Sequence, residues 1–201
     1  RGASGASPFS FDARNAEIDL ATMRWAVALA DVRLGQGDSV TRFAAQRIAG
    51  RSAPQGMAGE LTGASGKIGA VPLEMSEIDG RWRWAGGALT LDGGLALADA
   101  EQVDRFEPLI SRDASLRFVG GVIDATAGFS ERKTGTKILD AVIRHRLGDG
   151  TGSADLLVRE LRFDEGFQPD QLTHLALGVV ANVQGSVVGD GHIEWTADGV
   201  K

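Results

Sequence analysis

The residues best suited to chemistry in this chain are its histidines and carboxylates, and their spacing argues against most of the chemistry they offer. Asp190, His192 and Glu194 alternate along one run. As a strand they project from one face within about 7 Å of their neighbours, close enough to share a cation if that face were enclosed. The competing reading is a solvated polar face opposite Ile193 and Trp195, which the alternation rule favours. His145, His174 and His192 are far apart, and none sits in an HxxxH or HxH spacing. The segment GDGTGS, Gly148 to Ser153, has the glycine content of a phosphate-cradling loop but lacks the Lys-Ser/Thr ending, so a glycine turn between strands is the simpler account. Acidic pairs such as Asp12 and Glu17 arise by chance in a chain with 27 Asp and Glu. There is no cysteine, no G-x-S-x-G elbow and no HExxH. The expectation is a protein with no catalytic residues, no metal and no cofactor.

Composition narrows the class. The 201 residues are 43% hydrophobic and 24% charged, which suits a folded domain with a sizeable core or an extended sheet. A net charge of −6 with scattered arginines, such as Arg81, Arg83, Arg117, Arg159 and Arg162, argues against a nucleic-acid partner. Leu172 to Gly189 is the longest run without formal charge, but His174, Asn182, Gln184, Ser186 and several glycines make it unfit to enter a bilayer. The opening RGASGASP begins without Met and reads as a flexible edge left by a domain cut. Residues 1–16 are therefore set apart, and 17–201 are taken as a single β domain, a piece of a longer protein.

The elements that position these residues are mostly strands. The 28 glycines against 5 prolines punctuate apolar alternation at short intervals. Glu17 to Leu34 reads as two strands. The stretch IDGRWRWAGGALTLDGGLALADA is a meander: Trp82 and Trp84, then Leu89 and Leu91, then Leu95 and Leu97 share a side, with Gly86-Gly87 and Gly93-Gly94 between. Leu156 and Val158 alternate and resume at Leu161 and Phe163, so the extra residue implies a β-bulge around Arg159 and Glu160. Residues 39–50, with Ser39 as a possible N-cap, fit a helix or a strand, and so do 136–147. PDQLTHLAL, 169–177, reads as one short helix with Pro169 in its first turn. Val179 to Trp195 has an apolar, glycine-rich side opposite Asn182, Gln184, Ser186, Asp190, His192 and Glu194.

From alternation alone, the apolar faces would meet one another in an ordinary sandwich core. The residues themselves suggest a second reading through a resemblance. GTGSADLLV, LRFDEGFQPDQL and GVVANVQGSVVGDGHIEW resemble the C-terminal domain of YdbH-like proteins, of the wider AsmA and TamB group. The resemblance implies an all-β fold: a mainly antiparallel, strongly curved or U-shaped sheet forming an apolar groove. It implies a periplasmic envelope protein of Gram-negative bacteria, anchored in the inner membrane through the rest of its parent chain, with phospholipid acyl chains as partner. Trp82, Trp84, Leu89, Leu91, Phe118, Leu156, Val158, Leu161, Phe163, Ile193 and Trp195 would then line the groove. At about 0.8 kcal/mol per methylene, an acyl chain of roughly 16 carbons needs about 13 kcal/mol of shelter from water, which calls for a continuous trough. Two alternatives stand beside this: a scaffold module pairing through its sheet edges, and a small-molecule carrier, suggested by a dicarboxylate-transport label on the family domain. The carrier would need converging arginines.

Overall fold

A computed structural model describes residues 2–4, 7–34, 40–68, 71–102 and 105–200. The strands are β1 (Gly2–Ser4), β2 (Ser7–Asp12), β3 (Asn15–Asp19), β4 (Arg24–Leu34), β5 (Thr41–Ala53), β6 (Gly56–Lys67), β7 (Leu73–Ala85), β8 (Ala88–Asp99), β9 (Leu109–Val119), β10 (Val122–Glu131), β11 (Lys137–Arg146), β12 (Gly152–Phe163), β13 (Gly185–Thr196) and β14 (Gly199–Val200). All fourteen belong to one sheet, in which β2 and β3 share β4 as neighbour and every later strand pairs antiparallel with the next. The first and last strands do not pair, so the sheet is open. The two-residue turns Gly86-Gly87 and Gly120-Gly121 have positive φ throughout, as hairpins that match strand twist require.

Residues 39–50 and 136–147 resolve as strands β5 and β11, with Ser39 outside the described residues. The helix-like spacing of β5 has a local cause. Its pairing with β6 keeps one register but is interrupted between Ala45↔Ala64 and Arg47↔Thr62, where Gln46 and Gly63 are not paired. The skip moves Ile48 onto the face of Phe43 and Ala45, which mimics a 3.6 period. The helix expected at 169–177 is instead two 3-10 turns, Pro169–Gln171 and His174–Ala176. Between them Thr173 is extended, and its hydroxyl accepts from the Leu175 amide, which starts a new turn rather than continuing the first.

The β5 skip belongs to a line of irregularities crossing the sheet at mid-strand. It starts at the break between β2 and β3 and passes Leu29 and Glu77, both in left-handed conformation, with Gly63 between them. It continues through register shifts at Gly93/Leu95, Thr126/Phe129 and Val158/Leu161, the last being the bulge expected at Arg159 and Glu160. Two carboxylates satisfy amides released along it: Asp79 accepts from Gly63 N at 2.7 Å and Asp113 from Gly128 N at 3.0 Å. The Gly128 amide, with help from Ser111, holds the Asp113 carboxyl below the usual range against the opposing effect of burial.

Bulges bend strands, and bulges aligned across neighbours crease a whole sheet. The crease explains how a single layer acquires a core. Ala30, Ala45 and Ala64 are register partners beside it, small enough for the two arms to approach. With Leu61 and Ile78 they form a buried cluster, packed by Val27, Ile48, Trp82 and Leu91 on one side of the crease and by Phe43 and Met75 on the other. A second cluster holds Leu109, Phe129, Ile138, Leu161 and Phe163.

Candidate functional site

The apolar face is continuous across the sheet. One register row runs Trp25, Gly50, Gly59, Trp82, Leu91, Leu116, Ala125, Ile143, Ala154 and Ile193, from β4 to β13, without a polar residue. The row one pleat nearer the tight turns runs Met57, Trp84, Leu89, Phe118, Ile123, His145, Gly152 and Trp195, with His145 its one polar member. All of the residues proposed as lining from sequence fall on this face. Their exposure differs along it. Trp84 is 38% and Ile193 36% exposed, whereas Leu161, Phe163 and Trp195 are buried.

Glycines let the tryptophans lie down. A Cβ at Gly50 would meet Trp82 at 2.6 Å and Trp25 at 3.0 Å, so both indoles rest across a strip of bare backbone. Trp82 Nε1 donates to the Glu60 carbonyl at 3.2 Å. Near the other edge of the sheet Trp195 lies over Gly152 in the same way, and its Nε1 donates to His145 Nδ1 at 3.1 Å. Burial lowers the His145 pKa, against smaller raising effects from Thr151 and Asp149, and the ring is neutral with Nδ1 as acceptor.

The long-loop end of the groove is covered by the chain itself. Phe167, Leu172 and Val183 of the β12–β13 connection and Phe106 of the β8–β9 connection join the second cluster. Phe163 and Phe167 stack with centroids 5.7 Å apart. The Gln168 amide fastens the loop, donating to Val183 O at 3.0 Å and accepting from Val183 N at 2.9 Å. Thr173 donates its hydroxyl to Arg105 O, and His174 pairs with Glu107, joining the two loops. Glu131, buried opposite Leu109, turns inward to accept from the Lys133 and Thr134 amides.

The polar candidates lie elsewhere. His192 Nδ1 is 2.6 Å from Asp155, and its Nε2 3.5 Å from Glu194. Asp155 and then Glu194 raise its pKa, on the exposed outer face. Among the described residues no three His, Asp or Glu side chains are grouped to hold a metal ion. GDGTGS makes the β11–β12 turn, where Asp149 accepts from both the amide and the hydroxyl of Thr151. Arg144 and Arg146 share a shallow depression at the tight-turn rim with Glu194, and Arg144 is paired to Asp124 at 3.0 Å. The lining expected from sequence left out Trp25, Met75, Ile78 and Leu109, and also Phe43, Ile48 and Phe129, whose apolar pattern is readable within their own segments but whose place on this face is not. Trp25 and Ile48 show a usable signal only when their strands are aligned, because each half-strand alternates cleanly up to its bulge.

An open antiparallel sheet, creased along its middle, apolar on the inner face and charged on the outer, defines a groove protein rather than a barrel or a sandwich. The chain belongs to the YdbH-like family: the model described as intermembrane phospholipid transport protein YdbH matches residues 2–201. No curated protein and no solved structure matches it. The family is one of phospholipid transport and not a known enzyme class.

Proposed function

We propose that residues 17–201 form a single β-groove domain that conducts phospholipid through the periplasm between inner and outer membranes, as a segment of a longer, inner-membrane-tethered chain. Acyl chains lie along the crease, across the strands, against Trp82, Trp84, Leu89, Leu91, Phe118, Leu156, Val158 and Ile193, while Leu161, Phe163 and Trp195, expected as lining, are buried and support that face from beneath. The observation that carries this reading is the unbroken apolar row from Trp25 to Ile193, since a sliding chain needs nondirectional contact at every strand it passes. The partial exposure of Trp84 and Ile193 supports it further, because a sandwich core would leave neither open. Leu116→Asp places a carboxylate in the row and Ser115→Asp places one on the opposite face. Pulse-labelled phospholipid reaching the outer membrane should fall about tenfold or more in the first and be unchanged in the second, with both variants folded by circular dichroism. Equal transfer in the two would overturn the proposal.

The scaffold reading rests on one observation. Among the described residues, β13 is paired along its outer edge only at Trp195 and Thr196, and Val187 and Val188 are exposed there. An added strand from a partner would pair with Gly185 to Glu194. Loss of pairing-dependent assembly without loss of lipid transfer, on introducing proline at Val188, would favour it.

A further inference from the structure

The outer face carries a pattern that acyl-chain conduction does not use. The row between the two inner rows runs Arg24, Arg51, Ala58, Arg83, Thr90, Arg117, Asp124, Arg144, Ser153 and Glu194. From β5 to β11 an arginine recurs on every second strand, a repeat of about 9.6 Å at the usual strand spacing. In a chain of net charge −6 this row is locally cationic. Arg24 and Arg51 are directly opposite one another, an arrangement that is unfavourable without a counter-charge. Asp124 offsets Arg144, and Asp19 lies near Arg24. Arg51, Arg83 and Arg117 have exposed side chains, and each makes no ion pair or side-chain hydrogen bond among the described residues.

The row lies two residues from the ends of β5, β7, β9 and β11, about 7 Å from the tight turns. At Gly86-Gly87 and Gly120-Gly121 those turns have no side chains, and no atoms stand near where a Cβ would be. Around this rim, Arg83 and Arg117 outside are separated from Trp84 and Phe118 inside by the glycine turns and by the short apolar side chains of Ala85, Ala88, Val119 and Val122. Aromatic rings next to long cationic side chains that can reach past an edge make the arrangement found where hydrocarbon meets phosphate. We propose that this arginine row takes the phosphate groups of phospholipids whose acyl chains occupy the groove, selecting head groups of net negative charge along the tight-turn rim; the inference rests on the lipid-conduction reading above. Guanidinium suits the task, offering paired donors to phosphate without titrating.

The test uses the full chain and a variant combining Arg51→Gln, Arg83→Gln and Arg117→Gln. Each is incubated with vesicles of phosphatidylethanolamine and phosphatidylglycerol at three to one, then separated from them, and its bound lipid is quantified by mass spectrometry. The parent should be enriched in phosphatidylglycerol about threefold or more over the vesicles, consistent with a few solvent-exposed charge contacts. The variant should bind the same total lipid at the vesicle ratio, and high salt should reduce the parent's enrichment likewise. Lipid bound by both proteins at the vesicle ratio would overturn the arginine assignment and leave conduction standing. No lipid in either would overturn both. Loss of vesicle co-sedimentation in the variant, with the composition of bound lipid unchanged, would assign the row to a membrane surface and overturn the head-group proposal.

Discussion

Trp25 and Trp82 touch, with ring centroids 5.4 Å apart and planes at 40°, although β5 and β6 lie between their strands. In a sheet their backbones stand about 14 Å apart. The indoles close that gap because Gly50 and Gly59 put nothing between them. The floor of the groove is thus made in part by large rings lying flat over residues without side chains, giving a smooth apolar surface rather than a row of separate knobs.

Gly59→Ala should be badly tolerated. Its Cβ would fall 1.8 Å from the Ala49 carbonyl oxygen, a backbone atom that cannot swing aside. The expected cost is about 2 kcal/mol or more. Gly189→Ala, on the same face in β13 with no atom within 4 Å of the new methyl, should cost far less. Thermal unfolding of the two variants compares them, and equal melting temperatures would contradict the packing described.

His145 should make the Trp195 end of the groove sensitive to acid. Its folded pKa lies below the ordinary 6.5, so its contribution is fully present above pH 6.5 and is lost as pH falls through the folded value. Protonation puts a hydrogen on Nδ1, where Trp195 now donates. The exposed His192 has the opposite shift and favours the folded state at low pH, so a global melting curve mixes the two. Trp195 fluorescence reads the first alone. With the other tryptophans replaced by phenylalanine, it should change below pH 6.5, and His145→Gln should flatten that change.

Gln168→Ala removes both bonds that close the β12–β13 connection on Val183. It leaves the partly buried Val183 amide and carbonyl without these partners, which costs about 1 kcal/mol locally. Limited proteolysis should cut between 164 and 184 faster than in the parent, while cleavage at Gly86-Gly87 is unchanged.

Much of the sheet was legible because alternation survives within half-strands. Trp82 and Trp84, Leu89 and Leu91, and Leu156 and Val158 occupy uninterrupted stretches, and Gly86-Gly87 makes the turn expected of it; Gly93-Gly94, expected as a second turn, instead lies inside β8 at a register shift, so Leu89, Leu91, Leu95 and Leu97 share one strand. What was hidden follows from the crease. Gln46 and Glu77 are ordinary polar residues, and nothing in their chemistry announces that the chain skips a pairing there. The phase of Phe43 against Ile48, or of Met75 against Ile78, is therefore unreadable locally. The helix at 169–177 failed because Thr173 is tied across to Arg105, a contact 68 residues away along the chain. The alignment of Trp25 with Ile193 depends on every turn length in between, so the groove is a property of the assembled sheet.

The most direct test of conduction is crosslinking in cells. A photoreactive residue replaces Trp84 or Ile193 on the inner face, or Arg162 or Glu194 on the outer face, in the intact parent protein, and adducts are identified by mass spectrometry. Acyl-chain adducts should form at Trp84 and Ile193 and be absent at Arg162 and Glu194. Folded protein without lipid at either inner position, or with equal yield on both faces, would contradict a groove that carries phospholipid.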